Sequence, residues 1–339
     1  MTEIILHVGA PKCASSTIQA YLCDNHSLPN RSLFNKRKTY RYISIDSKGS
    51  LLTGEDLHSK FKKSQLGYIS SHGFRKMPIS LKAIFTKIKS NLGKNEIGVL
   101  SCEGWGREVR KLDFDDVFTS LGISVRIFFA VRAPIEWLNS GWWQWGAWTD
   151  AAVETWITNS IGSTDFATDI EAWQSVPGVE DVRVVEISEN PLKKFKEYLG
   201  VSDDWKSQAN VGSHPAILEF LLKNKERYGR SIHSPMIEFK LNRILQLDRT
   251  PLPFVINPEL RQKILERTVD ASKRLKTHLN NSSEDINSVF EQKYFSDEAY
   301  RNLPIADIFN LTSESQRNNF ETRLIDIVLD GGANNELSG

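Results

Sequence analysis

Lys12 stands three residues before a run of hydroxyls, Ser15, Ser16 and Thr17, in the segment Gly9-Ala10-Pro11-Lys12-Cys13-Ala14-Ser15-Ser16-Thr17. One point charge and three donors this close together suit a phosphate. The segment also leads into a helix start, where backbone N–H groups lack intrahelical acceptors and the helix dipole favours negative charge. An ordinary strand-to-helix turn capped by Ser or Thr would use the same residue types. The nucleotide-triphosphate loop does not fit, because it ends in Gly-Lys-Ser/Thr with the lysine beside the hydroxyl that binds Mg²⁺. Here the lysine comes early, before the helix, which disfavours a nucleotide or small-molecule kinase.

Arg132 is the second candidate anchor, with Pro134 two residues on and Ser140 eight residues on. A proline that starts a helix puts that serine near the second turn. The guanidinium, as a fork, and the hydroxyl can then serve one phosphate. Taken alone, an arginine at a strand end is more often structural.

These residues need elements to hold them. The run EIILHV (3–8) reads as a strand, and from Ser15 the spacing of Ile18, Tyr21 and Leu22 is that of an amphipathic helix. Residues 24–80 are polar and punctuated by Gly and Ser, and are expected to be loops and short helices. A helix over 81–92, a strand over 97–101, a helix over 115–121 and a strand over 125–131 follow. A Trp-rich helix after Pro134, a strand over 182–187, a helix over 191–199 and helices over 215–228, 235–247 and 258–279 complete the reading. Strands alternating with helices predict an α/β fold, a central parallel sheet flanked by helices, with a largely helical C-terminal part. Ligands of such sheets bind beyond the carboxyl ends of the strands, at 9–17, 101–104 and 132–140. One domain is expected over 1–330, with a flexible tail over 331–339.

With 43 Lys and Arg against 42 Asp and Glu, the formal charge is +1. No global field favours nucleic acid or an anionic membrane, so any anion site is local. Three cysteines without a Cys-x-x-Cys pair read as reduced thiols rather than a disulfide frame or zinc site. No apolar run approaches the roughly 18 residues of a membrane span, and the first residues do not form a signal peptide. The expected compartment is cytoplasmic.

The stretch HVGAPKCASSTIQAYL resembles the 5′-phosphosulfate loop of the PAPS-dependent sulfotransferases, in which Pro-Lys-x-Gly precedes two hydroxyl residues. Ala14 departs from it, standing where the family has Gly, and alanine resists a positive φ. Arg132-Ala133-Pro134 and Ser140 resemble the same family's 3′-phosphate motif, with Ala133 in place of Asp or Asn. Weaker likeness runs over residues 3–295. The resemblance implies a P-loop-like sulfotransferase fold of bacterial or carbohydrate type, with PAPS (3′-phosphoadenosine 5′-phosphosulfate) as co-substrate, PAP as product and no metal. It implies that Lys12 stabilises the departing phosphate. Pro11, Lys12, Cys13, Ala14, Ser15, Ser16 and Thr17 would hold the 5′-phosphate, and Arg132 and Ser140 the 3′-phosphate.

Sulfuryl transfer to a hydroxyl calls for a base. Glu103, just past the 97–101 strand, is the favoured one, since burial beside Trp105 would raise its pKa; alternatively it caps a helix or pairs with Arg107. His26, His58 and His72 are rival bases, and His7 reads as a core residue. Trp142, Trp143 and Trp145 follow the phosphate-binding serine, and flat rings suit a sugar face, although such stripes more often form core. The expected acceptor is a small molecule or glycan, with a carbohydrate hydroxyl preferred. A P-loop kinase and a catalytically inactive nucleotide- or glycan-binding relative are the alternatives.

Overall fold

Ile4, Ile5, Leu6 and His7 are all fully buried, so both faces of the first strand are covered, as expected for a parallel sheet between helical layers. The structure, a computed structural model, describes residues 1–29, 38–205, 212–232, 235–248, 250–279 and 284–336. Its strands are β1 Thr2–His7, β2 Ser27–Pro29, β3 Thr39–Ile45, β4 Leu51–Thr53, β5 Glu96–Ser101, β6 Ile123–Val131 and β7 Val179–Glu186. Alternating with them are helices α1 Ser15–Asp24, α2 Gly54–Lys63, α3 Leu81–Asn91, α4 Trp105–Glu108, α5 Val117–Leu121, α6 Pro134–Gln144, α7 Val153–Ser160, α8 Phe166–Gln174 and α9 Pro191–Leu199. Beyond them the named elements are helical: α10 Pro215–Lys223, α11 Lys225–Tyr228, α12 Met236–Leu245, α13 Pro258–His278, α14 Glu284–Phe290 and α15 Glu314–Glu336, with short 3-10 and π turns.

The sheet runs β2-β3-β5-β1-β6-β7, with β4 also on β3. The five strands from β3 to β7 are parallel in this order, and β2 and β4 are antiparallel to β3. From β1 the chain goes by way of the edge strand β2 to β3, beyond β5; from β6 it continues outward on the opposite side, to β7. Departures in opposite directions open a crevice at the carboxyl ends of β1 and β6. In register, His7 lies beside Ser101 of β5 and Phe128 of β6. Pairing runs on past the strand, with Ala10 N donating to Ala130 O at 3.4 Å and Cys102 N to His7 O at 3.0 Å. The segments following β5, β1 and β6 therefore emerge side by side, about 5 Å apart.

The chain divides into two compact units, each built from three segments: 1–137, 161–210 and 265–297 in the first, and 138–160, 211–264 and 298–339 in the second. The first carries the sheet. The second has an aromatic core, in which Trp142 meets Trp156 edge-on at 6.0 Å, Trp143 donates its indole N–H to Pro253 O at 2.7 Å, and Arg230 stacks on Trp148 at 4.1 Å. Gly146 is required by this packing, because a Cβ there would lie 2.2 Å from the Trp142 ring.

One expectation is corrected. The 24–80 stretch, expected to hold loops and short helices, has the short helix α2 but also the strands β2, β3 and β4. In β3, the residues Tyr40, Tyr42, Ile43 and Ile45 are buried, and their β-branched and aromatic character outweighs the polar residues around them. Residues 331–336 continue α15. Residues 337–339 lie outside the described ones.

Candidate functional site

The loop after β1 takes its shape from two left-handed residues, Lys12 at φ 67 and Ala14 at φ 63, on either side of Cys13. Alternating backbone handedness is the pattern by which successive N–H groups can turn inward into an anion-binding nest. Ala14 is the N-cap of α1, and the first backbone bonds of the helix come from Thr17 N and Ile18 N to its carbonyl. The reluctance expected of alanine is therefore overridden, at about 1–2 kcal/mol for an L-residue in this region. Ser15 is 2% exposed and its Oγ has no hydrogen-bond partner. A buried hydroxyl without a partner, at the base of a nest and at a helix start, fits a phosphate oxygen. Gly9 lets β1 and β6 approach, since a Cβ there would lie 3.1 Å from Ala130 N.

Charges converge on this loop. Burial pushes the Cys13 thiol up to about 12, and Arg132, Glu186, Glu103 and Lys12 all act on it. Glu103 follows β5 and is half-buried. Desolvation raises its carboxyl pKa, and the Lys12 charge opposes the rise. Neither alternative role of Glu103 is realised: Gly104 is the N-cap of α4 without a side-chain hydrogen bond, and Arg107 pairs instead with buried Asp169 at 3.8 Å. Arg107 also stacks on Trp137 at 5.6 Å and donates to Ser163 O.

Arg132 follows β6, and its Nε is buried without a hydrogen bond. The nearest counter-charge is Glu136 Oε2 at 3.7 Å. Ser140, 6% exposed, is on α6 beyond the point where the chain passes into the second unit. Trp142 and Trp143, 3% and 2% exposed, are packed into that unit's core, and Trp145 is half-buried. His26 and His58 face one another at 5.5 Å, and His58 Nδ1 lies 3.4 Å from Cys23 O, so they sit at the end of α1 opposite the phosphate loop. His72 is exposed beside the end of β5, where Ser71 N donates to Ser101 O at 3.0 Å. His7 is buried, with Nδ1 2.7 Å from Ser101 Oγ and a pKa lowered to about 3 by desolvation.

No protein-family model and no curated protein matches this chain. Among solved structures, a sulfotransferase from Alicyclobacillus acidocaldarius aligns at 12% identity and a TM-score of 0.41, over 85% of this chain and 98% of that one.

Other residues of the site had no sequence signal of their own. Trp137 donates its indole N–H to Pro11 O at 2.7 Å and ties the loop to α6. Tyr68, from the polar stretch before α3, is half-buried beside Glu103 and hydrogen-bonded to Ser16; burial and then the Glu103 charge raise its pKa. Glu186 closes β7, 1% exposed, with Oε1 unpartnered and Oε2 accepting from Ser188 N at 2.6 Å. Among the described residues no group of three or more His, Cys, Asp or Glu side chains is placed to hold a metal, and no helix is long and apolar enough to cross a membrane.

Proposed function

We propose that the protein transfers a sulfuryl group from PAPS to an acceptor hydroxyl, with carbohydrates and glycoconjugates the preferred acceptor class. The observation that carries this reading is the nest at Lys12–Ala14 with the orphaned Ser15 hydroxyl, on a strand flanked by the ends that carry Glu103 and Arg132. The nest, the start of α1 and the hydroxyls of Ser15, Ser16 and Thr17 would hold the 5′-phosphate. Arg132 and Ser140 would hold the 3′-phosphate, the group that distinguishes this nucleotide from an ordinary one.

In the transfer the acceptor oxygen bonds to sulfur as the bond from sulfur to the bridging oxygen breaks, and the electron pair leaves with the phosphate. Lys12 offsets the charge that collects there, an interaction stronger in the transition state than in the ground state. Glu103 takes the acceptor proton, helped by a raised pKa. Trp145, part-exposed where its neighbours are buried, is the ring of the cluster best suited to an acceptor. The compartment of this reading is the cytoplasm.

Calorimetric titration with PAP, run beside ATP–Mg²⁺, tests the reading. Micromolar or tighter binding of PAP with little response to ATP, followed by acceptor-dependent conversion of PAPS to PAP, supports it. A preference for ATP–Mg²⁺ would favour a kinase. PAP binding without turnover on any acceptor would favour an inactive relative.

A further inference from the structure

Glu136, on the first turn of α6, stands between two cations. Its Oε1 is 2.7 Å from Lys293 Nζ and its Oε2 is 3.7 Å from Arg132 Nε. All three side chains are about one-quarter exposed, at 26%, 22% and 24%. Lys293 reaches this position from a π-helical turn, Glu291–Phe295, whose Tyr294 stacks on Phe290 of α14 at 3.8 Å. Such turns are rare and cluster at functional sites. Glu186 completes the group, acting on Cys13 and subject to the charges of Lys293 and Glu136.

The four formal charges of Arg132, Lys293, Glu136 and Glu186 sum to zero, so the pull of the two cations on a dianion is largely offset until one negative charge withdraws. Glu186 is 1% exposed and hydrogen-bonded to Ser188 through both N–H and hydroxyl, which fixes it. Glu136 has solvent on one side and a distance to Arg132 too long for a hydrogen bond. The guanidinium fork, which prefers a bidentate oxyanion, is thus only loosely engaged by this carboxylate.

We propose that Glu136 is a displaceable counter-ion, holding Arg132 and Lys293 together until a phosphate monoester dianion takes its place between them. Lys293 is then the second cation of that anion site, and Glu136 sets its affinity. The identity of the phosphate as the 3′-phosphate of PAP rests on the function proposed above; the exchange of carboxylate for phosphate does not.

The test compares the wild type with Glu136→Gln and, as a second way of removing the charge, Glu136→Ala. Probes are PAP, adenosine 5′-monophosphate and inorganic phosphate, with binding measured by calorimetry and thermal shift. Loss of the charge should tighten PAP about 5–20-fold, increase stabilisation by inorganic phosphate, and leave the monophosphate within about twofold. Lys293→Met should weaken PAP and remove most of the gain from Glu136→Gln. Unchanged or weaker binding of both PAP and inorganic phosphate in the Glu136 variants would overturn the proposal, whereas equal tightening of the monophosphate would support the counter-ion and overturn the assignment of this site to the 3′-phosphate. Gain with inorganic phosphate while no protein binds PAP would support the counter-ion and sink the nucleotide reading.

Discussion

Ala14 holds a left-handed conformation, φ 63, that a glycine would adopt freely. Ala14→Gly should relieve strain in the folded state while loosening the unfolded chain, and these effects oppose each other. With about 1–2 kcal/mol of strain to relieve, the thermal midpoint should stay level or rise; a fall of several degrees would show that the conformation is not strained. At Lys12 the effect belongs to turnover. Lys12→Ala should lower kcat about 100-fold or more, while calorimetry should find PAP weakened only a few-fold, about 3-fold. Arg132→Ala should do the reverse and mostly lose PAP affinity. Glu103 makes the pH profile diagnostic. Its raised pKa places the rise in activity with pH above the ordinary carboxylate range, and Glu103→Gln should remove that rise with most of the rate.

Elements fix where these residues stand, and some are held by single polar groups. The Trp137 N–H on Pro11 O is one. Glu219 of α10 is another: 4% exposed, it accepts from Leu311 N at 3.0 Å, Thr312 N at 2.9 Å and Thr312 Oγ1 at 2.7 Å, and pairs with Lys223 at 2.5 Å. Burial alone would raise its pKa, but bonds from Lys223 and Thr312 prevail and lower it to about 2. The folded state thus binds fewer protons than the unfolded one, so this stability is present above the ordinary pKa of 4.5 and is lost as pH falls towards 2. Glu219→Gln should cost on the order of 2–3 kcal/mol at neutral pH in urea unfolding. Legibility also varied by element. β1, β6 and α1 announce themselves by apolar runs or by 3.6-residue spacing. β3 hides because Arg41 and the polar residues near it interrupt the pattern, although Arg41 is engaged by Glu96 at 3.1 Å across the strand pair. Glu219 shows locally only its pairing with Lys223 four residues on; its amide and hydroxyl donors, Leu311 and Thr312, lie about ninety residues away in sequence.

Across the whole molecule, acid should be the vulnerable direction. His7, fully buried in β1, has a pKa lowered from 6.5 to about 3. Its contribution is complete above 6.5 and declines as pH falls towards 3, costing about 2 kcal/mol by about pH 5. Denaturant midpoints measured against pH should fall over this window, and His7→Phe, which keeps a ring against Phe128 and Phe195, should flatten the dependence. A slope the same in both proteins would assign the acid sensitivity to other groups. The near-zero net charge leaves anion binding to local geometry, and that geometry is a matter of strand order. Sequence alone determined the α/β alternation, the loop chemistry from Gly9 to Thr17 and the candidacy of Glu103 and Arg132, because periodicity and the run of donor groups are local properties of the chain. Only the tertiary structure decided that β5, β1 and β6 lie side by side, that Trp142 and Trp143 are core, and that Glu136 and Lys293 stand beside Arg132. Strand neighbours and buried charge partners are chosen by packing between residues far apart in sequence, and no local pattern records that choice.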